Sequence, residues 1–333
     1  MTKDQLVHEI IQAIHCSSDH PSKQQILEYV LDERIDNFRN QFLIILKPEC
    51  CDIKNGVNTV QILNKTFEIF EEMEIDIHSC FVFNGAYSQA YSTVEDQYSM
   101  LNNGARYGIS SMFQHYKERI TQEYPETCIM GAFEFLNQFK ELFTIETLEQ
   151  LAHEVGSAKV GNGTYLLHIN VDGKKYGVIN AFHPHQIKHF NRADSRIIVF
   201  DCLSNTDYER LAEDVVGFFK PENAKNGSLR SYLYNNKDSL NLKEVGTFYN
   251  GFHISPSPLE GMFGVLRYCN NENQIDLMVN NTNLGIKLKN IGLSDEQILG
   301  FKKNICCKEN GKSQSIFDLF EGKNTEEIIE HLR

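Results

Sequence analysis

Three stretches concentrate residue types suited to phosphate and nucleophilic chemistry. The densest is Asn250-Gly-Phe-His253-Ile-Ser255-Pro-Ser257-Pro-Leu-Glu260, an imidazole at a strand end beside an amide and hydroxyls. Such a histidine acts as a nucleophile when a carboxylate fixes its tautomer. Glu260, in the first turns of the next helix, is placed to reach back to one ring nitrogen. A lone histidine there more often serves packing; the neighbours argue for chemistry without deciding it.

The second stretch is Lys47-Pro48-Glu49, where an apolar run surfaces into a proline turn. A lysine at that point suits an anion, because its charge and the free N–H groups of a following helix point the same way. Taken alone it also fits a solvated strand-end lysine. The third runs from Gly217 to Arg230 and ends in Gly227-Ser228-Leu229-Arg230. A guanidinium presented from a Gly-Ser turn can clamp phosphate with two N–H groups, although composition alone fits a surface arginine better. Asn180-Ala-Phe-His183-Pro-His185-Gln-Ile-Lys188-His189 holds three histidines. No cysteine or carboxylate completes them as a metal site, so this reads as a structural or cleft-lining turn and no metal is expected there.

The elements that must position these residues follow from periodicity. Gln41–Leu46 is an apolar strand, followed by a helix with Val60, Leu63, Phe67 and Phe70 on one face. Ile75, Ile77, Phe81 and Phe83 recur with period two, the mark of a half-buried strand. Residues 90–118 read as helical with a break near Asn102-Asn103-Gly104. Arg196–Cys202 is a second buried strand, a helix spans about Asp207–Val216, Gly246–Ile254 is a strand, and a helix follows Pro256-Ser257-Pro258. Without residues 115–194 the order is strand–helix–strand twice over. That predicts an α+β fold, a ferredoxin-like antiparallel sheet with helices on one face, enlarged by a hairpin-containing insertion and helical extensions.

Within the insertion, Gly163–Asn170 and Lys174–Asn180 flank Asp172-Gly173, a strong short-range hairpin signal. A helix is expected around Ile145–His153. The first forty residues read as two helices, one with Leu6, Ile10 and Ile14, the other with Ile26, Leu27, Val30 and Leu31. Toward the other end come a strand over Ile275–Val279, a helix opened by Ser294 with Gln297 in a capping-box position, and one opened near Asn324. The expected domains are a helical extension over 1–40, a principal domain over 41–268 with an insertion at about 115–194, and an extension over 269–333.

The chain has 333 residues, 41% hydrophobic and 23% charged, with a formal net charge of -13. That acidity argues against nucleic-acid backbones and acidic membrane surfaces as partners, but says little about a free nucleotide, which needs only a local basic patch. No apolar run is long enough to span a bilayer, and no signal peptide is visible. Nine cysteines without a CxxC suggest reduced thiols in a cytoplasm rather than a disulfide framework.

Lys47-Pro48-Glu49, Gly217 through Pro221, Gly227-Ser-Leu-Arg230 and Asn250-x-x-His253-x-Ser255 occur in this order and spacing. Together they resemble the motifs of nucleoside diphosphate kinases, over roughly residues 41–114 and 195–268, and look nearer to a longer variety of that family. The resemblance implies that His253 takes the γ-phosphate of a nucleoside triphosphate and passes it to a diphosphate. Lys47 and Arg230 would neutralise the transferring group, Asn250 would contact the sugar, Tyr98 would lie near the phosphates, and Ser255 would support a carboxylate–histidine pair. Magnesium (Mg2+) would be held mainly by the nucleotide phosphates, and homo-oligomerisation is left open. Departures are equally specific. Glu213 stands where the family has an arginine, Phe219 where it has a threonine, and Gly264 where it has the histidine-orienting glutamate. Arg210 and Glu260, each one turn earlier on its helix, are the candidate replacements. Two other readings stay open: a catalytically degenerate nucleotide-binding regulatory module, and phosphoryl or nucleotidyl transfer to a protein acceptor.

Overall fold

Apolar runs too short to be anything but strands set the centre of the fold. The computed structural model describes residues 1–16, 18, 20–31, 33–161, 163–270, 277–309 and 312–333. Its strands are β1 (Lys23–Leu27), β2 (Asn40–Leu46), β3 (Asp76–Asn84), β4 (Cys128–Gly131), β5 (Ala158–Gly161), β6 (Thr164–Val171), β7 (Lys174–Ile179), β8 (Arg196–Ser204), β9 (Phe252–Ile254), β10 (Cys306–Glu309) and β11 (Lys312–Ser315). Strands and helices are mixed and the largest sheet is antiparallel, so the chain is α+β. It divides into two units. One comprises Met1–Ala90, Arg192–Ile305 and Ile316–Arg333; the other comprises Tyr91–Asn191 with Cys306–Ser315. The second unit thus starts at Tyr91, earlier than the expected insertion boundary at 115.

The first unit is built on a five-stranded sheet in the order β1-β3-β8-β2-β9. On one face Phe42, Ile44, Cys80, Val82, Ile198 and Phe200 join a core. Helix Thr59–Glu72 closes this face with Leu63, Phe67 and Phe70, and helix Lys3–His15 with Ile10 and Ile14. Val60, expected on the apolar stripe, is exposed. The other face is covered as well, which corrects the expectation of helices on one side only. Leu43, Ile45, Phe81 and Val199 are buried there, and helix Pro258–Tyr268 lies against β2. A side chain on Gly261 would stand 2.9 Å from the Gln41 carbonyl oxygen, so glycine permits the helix to approach the strand. Full burial of β2 and β8 on both faces explains why both read as continuous apolar runs rather than alternating ones.

One segment is overturned by tertiary pairing. The expected second N-terminal helix is instead β1, an edge strand antiparallel to β3, with Val30 and Leu31 exposed beyond it. Ser22 and Asn84 tie its start down through two hydrogen bonds of 3.0 Å each. An open edge of β3 would leave a row of unpaired backbone groups, and the strand satisfies them.

Other boundaries shift for local reasons. The strand expected over Gly246–Ile254 shrinks to Phe252–Ile254, because Gly246–Gly251 forms an irregular loop. Helix Ser99–Tyr107 runs through Asn102–Gly104, and the chain breaks instead at Ser92, with φ of +50°, at Tyr98, and at Gly108, with φ of +54°. The strand expected over Ile275–Val279 lies partly outside the described residues; Val279–Asn281 is a 3-10 turn.

The second unit holds a four-stranded sheet in the order β4-β7-β6-β5, with β4 and β7 parallel. Its hairpin forms where the sequence places it. Asp172 and Gly173 have φ of +51° and +80°, the double positive φ of a tight hairpin turn. Helix Ile145–Val155, capped by Thr144, helps cover a core that contains Phe135, Leu148, Tyr176 and Val178. The helix opened by Ser294 carries its capping box, and Asn324 caps the last helix, Thr325–Leu332. No helix among the described residues is long and apolar enough to cross a membrane.

Candidate functional site

The candidate site is assembled where β2 leaves the sheet beside β9. His253 pairs across to Ile45, and Phe252 to Leu46. Pro48 then turns the chain into a short 3-10 turn, with Lys47 as its extended preceding residue. The exit of β2 and the approach to β9 are joined in both directions. The Lys47 N–H donates to the Gly251 carbonyl at 2.9 Å, and the Gly251 N–H donates to Glu49 Oε1 at 3.0 Å.

Two side chains brace this junction. Lys47 Nζ donates to Asn250 Oδ1 at 2.6 Å, and Asn250 Nδ2 donates to the carbonyls of Phe219 at 3.1 Å and Thr247 at 3.2 Å. Arg230 stands in the first turn of helix Leu229–Asn235, whose N-cap is Ser228. Its Nη1 donates to the Gly217 carbonyl at 2.8 Å and its Nη2 to the Phe252 carbonyl at 2.7 Å. Gly217 has φ of +92°, a conformation that favours glycine. The Gly217 loop, the Arg230 helix and β9 therefore form one hydrogen-bonded frame, with Lys47 and Arg230 buried inside it.

The electrostatics of this frame are strongly one-sided. Burial lowers the Lys47 ammonium to about 8; Glu49 opposes that shift and Arg230 adds to it. The half-buried His253 ring is held down to about 3, first by desolvation and then by Lys47, Arg230 and Arg267. At neutral pH the ring is uncharged and has a lone pair to offer, with three cations around it. A low-dielectric concentration of cations favours an incoming anion over water.

Arg267 is a site residue that the sequence motifs do not mark. It lies on helix Pro258–Tyr268, seven residues after Glu260 and three after Gly264, the spacing of one helix face. That periodicity is the signal that could have found it. Glu260 behaves differently from the expected partner of the ring. Burial pushes its carboxyl up to about 8, Glu321 and Asp318 push the same way, and Arg267 opposes them. Its Oε2 is buried and takes no hydrogen bond.

The remaining expected site residues are placed as follows. Ser255 clamps strands rather than a carboxylate: its Oγ accepts from the Leu43 N–H at 3.1 Å, and its carbonyl accepts from the Tyr208 hydroxyl at 2.7 Å. Arg210 is exposed and donates to Asp214 Oδ2 at 3.3 Å, a carboxylate that Lys225 also binds. Arg210 is not among the charges that shift Lys47 or His253. Tyr98 belongs to the second unit, its ring edge-on to Phe190 with centroids 6.2 Å apart. In the histidine-rich stretch His183 is buried, with Nδ1 2.9 Å from Gln186 Oε1.

Compared with models of known protein families the chain matches none, and no curated protein sequence matches it.

Proposed function

We propose that the first unit is a nucleoside-diphosphate-kinase-like phosphotransferase, which moves the γ-phosphate of a nucleoside triphosphate to a nucleoside diphosphate through a phosphohistidine at His253. One observation carries the reading. The His253 imidazole lies on β9, beside a frame in which buried Lys47 and Arg230 are fixed by hydrogen bonds to Asn250 and to the Gly217 and Phe252 carbonyls; desolvation, then Lys47, Arg230 and Arg267, disfavour protonation of the ring. The strand order adds support. β2 and β3 are parallel, joined by helix Thr59–Glu72 and separated by antiparallel β8, with β9 on the far side of β2. This is the order expected of a ferredoxin-like sheet.

In this scheme a ring nitrogen donates its lone pair to the γ-phosphorus. The bond from that phosphorus to the β,γ-bridging oxygen breaks, and the diphosphate leaves with the electron pair. The other ring nitrogen keeps its proton throughout. A terminal oxygen of the acceptor diphosphate then attacks the phosphorus and the imidazole departs. Lys47 and Arg230 face the charge spread over the transferring oxygens, and the cluster's position away from bulk water strengthens that interaction. The residues around the ring are cationic, so a magnesium ion fits as a companion of the phosphates, neutralising part of their charge.

A second reading rests on Glu260. Its carboxyl is buried and raised to about 8, so at neutral pH it is mostly protonated and offers His253 little of the carboxylate support a nucleophile ordinarily has. That favours nucleotide binding without turnover. Incubation with γ-labelled ATP separates the two. Acid-labile, base-stable label on the wild-type protein, absent from His253→Ala, is the expected result. Bound nucleotide with no label would select the binding module, and label found only on an added protein would select a protein acceptor.

A further inference from the structure

Beside the cation cluster lies an aromatic pair that the phosphotransfer scheme does not use. Phe218 and Phe219 are 49% and 45% exposed, and their rings contact each other with centroids 4.4 Å apart at 50°. Two adjacent large rings left in water are an unfavourable arrangement for a loop that serves only as a connection. The backbone that carries them is fixed. The Gly217 carbonyl is held by Arg230 and the Phe219 carbonyl by Asn250, which also binds Lys47. Phe218 thus lies between a carbonyl bound to Arg230 and one bound to Asn250, the hydrogen-bond partner of Lys47. Consecutive Cα atoms are about 3.8 Å apart, so both rings spring from within two residue steps of Gly217, whose carbonyl Arg230 binds.

We infer that Phe218 and Phe219 form the platform on which the base of a nucleotide stacks while its phosphates occupy the Lys47–Arg230–His253 cluster. The inference rests on the anion-site reading above and deepens it. The site would take a ligand with a polyanionic end and a flat aromatic end joined by a short linker, which describes a nucleoside di- or triphosphate. The two Phe side chains offer no hydrogen-bonding group, so this platform reads stacking area rather than base edges. Such contacts are sequence-tolerant because every base has a π-face. Purines are held more tightly than pyrimidines, and adenine and guanine nearly alike.

Calorimetric titration of the full chain with ATP and with inorganic tripolyphosphate tests this, using wild type, Phe218→Ala/Phe219→Ala and Arg230→Met. Wild type is expected to bind ATP at least about fivefold more tightly than tripolyphosphate, the low end of a base–aromatic contact. The double alanine variant should lose that advantage and keep its tripolyphosphate affinity, and Phe218→Tyr/Phe219→Trp should retain the advantage. Arg230→Met should weaken both ligands. An ATP advantage that survives in the double alanine variant overturns the platform, as does equal binding of the two ligands by wild type. Failure of wild type to bind either ligand defeats the anion site itself, a separate outcome.

Discussion

His183 and His253, in different units, show what desolvation alone does to an imidazole and what surrounding cations add. His183 opens helix His183–Phe190 in the second unit, and burial lowers its ring to about 4. Gln186 opposes that shift, a single arginine, Arg106, adds to it, and Nε2 is buried without a hydrogen bond. His253, also desolvated, is held to about 3 by three cations from three separate stretches. Burial alone makes a neutral ring in either unit. At His253 the ring is also subject to Lys47 from a strand exit, Arg230 from the first turn of a helix and Arg267 from the last turn of another, the convergence on which the proposed anion site rests.

The largest expected effect follows from Arg230→Met. The carbonyls of Gly217 and Phe252 lose their buried donor, at a cost of about 2–4 kcal/mol of stability, and tripolyphosphate binding should fall steeply. Thermal unfolding and calorimetry read both, and an unchanged melting temperature would remove Arg230 as a brace. Arg267→Leu is the next test. It should weaken tripolyphosphate roughly fivefold at low salt, about 1 kcal/mol, and raise the pH at which His253 titrates by NMR. An unshifted titration would leave only two cations at the ring.

His183→Leu sharpens the contrast from the other side. It loses one hydrogen bond but also an unsatisfied nitrogen, so stability should move by no more than about 1 kcal/mol. Tripolyphosphate affinity should not change; a loss would give the histidine-rich stretch a part in the site.

Glu260→Gln is read as a pH slope of stability rather than as a loss of binding. The folded carboxyl is raised from its ordinary 4.5 to about 8. Its stabilising contribution is therefore full below pH 4.5 and lost as pH rises through 8. The variant should unfold at nearly the wild-type temperature at pH 5 and lose less stability between pH 6 and 9. Parallel slopes would show that the carboxyl is ionised at neutral pH.

Features set by neighbours in the chain are legible in the sequence alone. The apolar run of β2, the stripe of helix Thr59–Glu72, the Asp172-Gly173 hairpin and the caps at Ser294 and Asn324 all depend on residues within a few positions of one another. The clustering of Lys47, Arg230, Asn250 and His253 is also legible there, from ordered motifs rather than from periodicity. Choices made by distant partners are not. Lys23–Leu27 is a strand because β3 offers an open edge. Arg267 enters the site because Gly261 lets its helix settle against β2, and Ser255 and Arg210 are claimed by Leu43 and Asp214 instead of the site. Local preferences are worth at most about 1 kcal/mol per residue. Burial of a whole face and satisfaction of buried backbone groups are larger and non-local, so tertiary packing decides wherever the two disagree.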